Sequence, residues 1–179
     1  MNLLSLIGWT LDVKALNNVK KSIIIEAPHT SNWDFIIGIL AAKASKITFY
    51  FIIKKEWNLP ILGHFLKKLG AIFVDRTQAT GITTTIANKL KEMPNGHIIF
   101  TPEGTRSRVN KWKSGFYIIA KEANIPISIG YIDYKTKRIG IHNILSPTGN
   151  MALDCKKLRE FYKTITPKNK KNYDPNWTI

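Results

Sequence analysis

Between residues 21 and 166 the chain alternates short runs of β-branched and aromatic residues with segments of helical spacing. This alternation limits the available folds more than any other feature. Ser22–Ala27 reads as a buried strand, Trp33–Ala44 as a helix and Ile47–Ile53 as a second strand. Pro60 suits the first turn of a short helix that Gly70 ends, and Ala71–Val74 makes a third strand. Gly81–Met93 reads as a helix, His97–Thr101 as a strand and Ser114–Asn124 as a helix. Two strands, Ile125–Ile132 and Arg138–His142, and a last helix, Met151–Ile165, complete the pattern. Strands separated by helices of about ten residues need crossovers, and crossovers give a mainly parallel sheet with helices on its faces. The fold class is α/β.

At 179 residues the chain forms one domain and needs no staple, since a domain of this size buries roughly 70% of its unfolded surface. Its lone Cys155 cannot form an internal disulfide, which is compatible with a reducing compartment. Residues 1–20 read as an N-terminal helical segment, 21–166 as the domain that carries the chemistry, and 167–179 as a basic, loosely held tail. The first segment lacks a basic stretch and a small-residue cleavage site, which argues against a signal peptide. Two readings of it stay open. It packs on the core, or it lies at a membrane interface with Leu3, Leu4, Ile7 and Trp9 at the acyl boundary. No run of apolar residues is long enough to span a bilayer.

Charge narrows the partners. Lys and Arg number 27 against 12 Asp and Glu, a net +15, which favours nucleic acid, acidic lipid surfaces, phosphorylated ligands or acidic carrier proteins.

In open α/β sheets ligands bind beyond the carboxyl ends of strands. Three such loops carry groups suited to proton or charge handling. The first holds His29 and, five residues on, Asp34. A carboxylate on one imidazole nitrogen fixes the tautomer and leaves the other nitrogen to act as a base. Ser31-x-x-Asp34 also matches a capping box, so Asp34 can instead serve the helix start. Both readings stay open. Arg76 and Arg106 end the other two loops, where guanidinium groups can take phosphate oxygens in pairs, and Lys55 follows the second strand.

Absences sharpen the picture. The chain has no G-x-S-x-G elbow, Walker phosphate loop, dinucleotide fingerprint, H-E-x-x-H or C-x-x-C. What remains is a base with anion holders and no nucleophile, an inventory that fits proton abstraction from a bound alcohol. A basic nucleic-acid binder is the rival, with Trp112 between Lys111 and Lys113 as a stacking platform.

At these residues the sequence resembles the glycerophospholipid acyltransferases, typified by 1-acyl-glycerol-3-phosphate acyltransferase. Their His-x4-Asp motif is seen as His29–Asp34, and G-x-x-F-x-x-R as Gly70, Phe73 and Arg76. E-G-T-R is Glu103, Gly104, Thr105 and Arg106, and a fourth, proline-containing motif is approximated by Ile125-Pro126-Ile127. The second proline of that motif is absent, with Ile129 in its place. Pro28 stands where Asn commonly precedes the histidine, as in a compact subgroup.

The resemblance implies an α/β/α sandwich and acyl transfer from a thioester, acyl-CoA or acyl carrier protein, to the hydroxyl of a lysophospholipid. It makes His29 the base and Asp34 its orienting carboxylate. Lys55, Gly70, Phe73, Arg76, Glu103, Gly104, Thr105 and Arg106 would shape the acceptor site. It calls for no metal and no cofactor beyond the acyl donor, and for a cytoplasmic protein held peripherally on the cell membrane by its anionic surface. An acceptor of another kind, such as an amino-lipid or sugar lipid, is the alternative within the same fold.

Overall fold

The computed structural model describes residues 3–75 and 81–179. Seven strands, β1 (Thr10–Asp12), β2 (Lys21–Ala27), β3 (Phe49–Lys54), β4 (Ala71–Val74), β5 (Gly96–Phe100), β6 (Ile127–Asp133) and β7 (Arg138–Leu145), form one sheet in the order β1-β7-β6-β2-β5-β3-β4. The five strands from β6 to β4 run parallel; β7 lies antiparallel to β6, and β1 is parallel to β7. The carboxyl ends of β6, β2, β5, β3 and β4 therefore share one edge. The loops that carry His29 and Asp34, and Glu103 to Arg106, lie along it.

Helices α1 (Leu3–Leu6), α2 (Asn32–Ser45) and α3 (Pro60–Lys68) cover one face, and α4 (Ile82–Glu92), α5 (Gly115–Ala123) and α6 (Met151–Tyr162) the other. Side-chain alternation along the strands decides which layer each residue feeds. Ile23, Ile25, Ile127 and Ile129 pack against Leu90 of α4, Phe116 of α5 and Leu158 of α6. The opposite face contributes Ile24, Ile132, Ile139 and Ile141, and there Leu4, Ile37 and Ala41 pack from α1 and α2. Phe73 alternates with Ile72 and Val74, which face the first layer, and its ring lies 5.9 Å from Lys67 Nζ of α3. Each fully buried isoleucine contributes about 1.5–3 kcal/mol, so the double-sided sheet is the main source of stability. The α/β/α sandwich is as expected.

Gly70 is needed where it stands. Its φ is +95°, and a Cβ there would lie 2.4 Å from the carbonyl oxygen of Phe49.

The ends differ from expectation. The segment expected to be helical over 1–20 is not so over the described residues 3–20: α1 is one turn, Gly8 at φ +79° ends it, and Thr10–Asp12 joins the sheet edge beside β7. Edge strand β7 needs a partner for its backbone groups, and that requirement outweighs helical propensity. Leu4 and Trp9 are buried with Ile37, Ile132 and Ile139, whereas Leu3 and Ile7 are exposed. The segment is part of the domain.

Nor is 167–179 loose. Trp177 is fully buried and stacks on Trp112, ring centroids 3.6 Å apart and planes within 5°. Trp112 N donates to the carbonyl of Thr178, and Thr178 N to that of Asn110, each at 2.8 Å. Aromatic anchors outweigh the repulsion of the lysines between them. The same burial removes Trp112 as a platform for a nucleic-acid base. Among the described residues, no helix is long and apolar enough to cross a membrane.

Candidate active site

Strand β2 ends at Ala27, a cis Ala27–Pro28 bond follows, and His29 lies half-buried in the loop before α2. Its Nδ1 lies 3.2 Å from Asp34 Oδ2. Asp34 is 1% exposed. The two readings of it prove compatible. Oδ2 accepts from Thr30 N (2.8 Å) and Ser31 N (2.9 Å), closing a capping box in which Ser31 Oγ accepts from Trp33 N, while the same oxygen faces the imidazole. Oδ1 accepts from the hydroxyl of Tyr134 at 2.6 Å. The carboxylate is held from both oxygens, and the ring nitrogen that does not face it is Nε2.

Electrostatics follow from this packing. Burial opposes ionisation of Asp34, but bonds from His29, Tyr134, Ser31 and Thr30 outweigh it and hold the carboxyl below its ordinary value. Burial likewise opposes a charge on His29. The Asp34 bond and the neighbouring Glu26, Asp34 and Glu103 reverse that, so its pKa is raised above 6.5.

Two further carboxyls close in. Glu26 Oε2 lies 4.0 Å from His29 Nδ1, and burial pushes its pKa up to about 7. Glu103 is buried three residues past the end of β5, and its Oε1 accepts from His29 N at 3.0 Å. Burial raises it to about 8. Glu103 therefore ties the third motif to the first through the backbone. Gly104 follows with φ +67°, its N donating to Thr101 O at 3.1 Å, a tight turn that frees the next residues to point outward. Thr105 and Arg106 are exposed, and Arg106 Nη1 donates to Asn32 Oδ1 at the start of α2. His29, Asp34, Glu103, Gly104 and Arg106 thus converge on adjacent strands β2 and β5.

The remaining expected residues stand apart. Lys55 follows β3, two strands from β2, and its Nζ lies 3.8 Å from Asp75 Oδ2. Phe73 is on β4, three strands away, or about 14 Å at ordinary strand spacing. Gly70 precedes β4 and lies at the opposite edge of the sheet. Arg76 lies outside the described residues. Glu26, His29 and Asp34 also bring one potential ligand atom each within 4.8 Å of one another, but Asp34 Oδ2 is committed to two backbone donors.

Sequence reasoning missed Glu26, Tyr134 and Asn169. Asn169 N donates to Thr30 Oγ1 (3.2 Å) and its Nδ2 to Thr30 O (2.8 Å), clamping the loop next to His29. The signal for Glu26 was a lone carboxylate in an apolar strand. Tyr134 follows the end of β6, a strand-end position like the others.

A mainly parallel α/β sheet thus carries a His–Asp pair at its carboxyl edge, where open sheets of this kind bind ligands. A family model described as acyltransferase matches residues 10–129, and the chain belongs to that family, the glycerophospholipid acyltransferases. Acyl transfer is the family's chemistry. No curated protein matches the chain as a relative.

Proposed function

We propose that the protein transfers a fatty acyl group from a thioester, acyl-CoA or acyl carrier protein, to the hydroxyl of a lysophospholipid. The acceptor that fits best is 1-acyl-glycerol-3-phosphate, giving phosphatidic acid. The observation that carries this reading is the His29 Nδ1 to Asp34 Oδ2 contact of 3.2 Å at the carboxyl edge of the sheet.

In this reading Asp34 keeps the Nδ1–H tautomer, and His29 Nε2 removes the acceptor's hydroxyl proton as its oxygen attacks the thioester carbonyl. The tetrahedral intermediate collapses, the C–S bond breaks, and the thiolate takes the proton back from His29. No metal or further cofactor enters. Arg106, with Arg76 and Lys55, attracts the acceptor phosphate; Glu103 and Gly104 shape the loop, and Thr105 lines it. Gly70 and Phe73 act on the site only through the β3–β4 framework. The +15 charge supports a cytoplasmic protein bound peripherally to the anionic leaflet.

The test is mass spectrometry of products after incubation with mixed lysolipids, amino-lipids and sugar lipids, and both thioester donors. Phosphatidic acid formed by the wild type and not by His29→Ala supports the reading. Acylation of another acceptor class in preference would replace the acceptor while keeping the chemistry.

A further inference from the structure

Exposed apolar side chains are unevenly distributed over the molecule. Of the twelve large hydrophobic residues that are exposed among those described, ten belong to the α1–α3 layer or the turn before α3: Leu3, Leu6, Ile7, Trp33, Phe35, Ile36, Trp57, Leu59, Ile61 and Phe65. Among the described residues the opposite layer has only Ile118 and Leu153. Scattered exposed apolar residues need no explanation, but a one-sided concentration marks an interaction surface.

Five of the ten, Trp33, Phe35, Ile36, Trp57 and Leu59, lie toward the carboxyl edge that carries His29. Trp33, Phe35 and Ile36 occupy the first turns of α2, directly after the His29 loop. Trp57 and Leu59 follow the carboxyl end of β3, and Ile61 and Phe65 lie one turn apart on the outer side of α3, whose Gly63 and Leu66 face inward. Leu3, Leu6 and Ile7 precede Thr10, which pairs with Arg138, itself opposite Asp133 at the end of β6. Ile61 is 89% exposed, an unusual position for an isoleucine with no partner.

Charge says what covers this rim. Lys54, Lys55, Lys137 and Lys168 are exposed around it, and Lys168 Nζ lies 5.0 Å from the Trp33 ring centroid. On α1–α3 and the turn before α3, Glu56 is the one exposed carboxylate. Apolar and aromatic side chains flanked by lysines fit a bilayer of anionic lipid, where the rings and aliphatic groups enter the acyl boundary and the ammonium groups meet phosphates. We propose that this rim docks the protein on an anionic lipid surface with the carboxyl edge that carries His29 turned toward the headgroups. The inference rests on the lipid acceptor proposed above, and it names α2 and α3, with α1 in support, as the docking elements.

Sedimentation with phosphatidylcholine vesicles, with and without phosphatidylglycerol, tests this. Trp33 and Trp57 are exposed while Trp9, Trp112 and Trp177 are buried, so a blue shift of tryptophan emission on binding reports the rim. The rim variant is Ile61→Ser with Phe65→Ser, and the control is Ile118→Ser with Leu153→Ser. All four positions are exposed, so thermal midpoints should match the wild type. Wild type and control should bind phosphatidylglycerol vesicles with a blue shift, and the rim variant about tenfold or more weakly. Equal binding by the rim variant, or no binding by the wild type, overturns the proposal. So does a concentration-dependent dimer that the rim variant abolishes, since a second copy would then be the occupant. Turnover of a short-chain, water-soluble lysophosphatidate and thioester separates the two readings, because the rim variant should keep that rate. A wild type that binds vesicles but makes no product from any donor and acceptor would sink the acyl-transfer reading alone.

Discussion

Tyr134 donates its phenolic hydrogen to Asp34 Oδ1 at 2.6 Å while its ring meets Trp9 edge-on at 5.1 Å. The carboxylate that faces His29 is thereby anchored to the end of β6 and, through the ring contact, to the N-terminal segment. Tyr134→Phe keeps the ring packing and removes only the hydrogen bond. It should cost about 1–2 kcal/mol of stability, the usual result of leaving a buried acceptor short of a partner. It should also lower kcat/KM by roughly tenfold and displace the pH profile, because Asp34 then holds the imidazole less rigidly. Turnover and pH profile unchanged from wild type would assign Tyr134 to packing alone.

Asp34 and His29 should separate in their effects on folding. His29→Ala should reduce turnover by roughly 10²–10⁴-fold with little change in thermal midpoint. Asp34→Asn should lose rate on the same scale and also about 1 kcal/mol of stability, because Oδ2 closes the capping box. The double variant should be little slower than the worse single, since the two act as a unit. Additive losses would show independent roles.

The fold was legible because strands buried on both faces are written as near-continuous apolar runs, of which Ser22–Ala27 is one. The three residues of β1 were not, because a strand that short shows no period and owes its place to the edge of β7. The Glu103 turn was visible, but its bond to His29 N was not, since nothing local specifies a contact between two loops. Tyr134 and Asn169 were hidden for the same reason. Trp177 was hidden because charge dominated the reading of the tail.

Stability should fall as pH rises through neutrality. Glu103 goes from 4.5 to about 8 on folding, Glu26 from 4.5 to about 7, and His29 is raised above 6.5. For each, the folded protein binds protons more tightly than the unfolded chain. Their stabilising contribution is complete below the unfolded values and is lost on passing through the folded ones. Asp34 has the opposite sign, with a loss only as pH falls below the ordinary carboxyl range. Chemical denaturation at about pH 5 and about pH 9 should therefore show the greater stability at the lower pH, and Glu103→Gln should flatten the difference. In kcat/KM, the acidic limb should lie above 6.5, because a base must be neutral.

Arg106→Ala should raise the KM for a phosphate-bearing acceptor more than that for the thioester donor. A lost guanidinium weakens phosphate binding in ground and transition state alike, so kcat should change little. Its present partner, Asn32 Oδ1, is a neutral amide that a phosphate can displace. Equal effects with phosphate-free acceptors would move Arg106 out of the acceptor site.

Trp177→Ala should destabilise the protein by about 3–5 kcal/mol, the usual cost of emptying a buried aromatic position. Thermal unfolding measures it. A midpoint within a degree or two of wild type would mean that the Trp112 stack contributes nothing.

The clamp of Asn169 on Thr30 sets an order of events in the making of the protein. A ribosome that has just completed α5 has already produced His29, Asp34, Glu103 and Arg106, the charged residues that meet at the site. The phenol that steadies Asp34 and the amide that steadies Thr30 are still to come. The early-made residues wait, and the later third of the chain brings them to working alignment as it emerges.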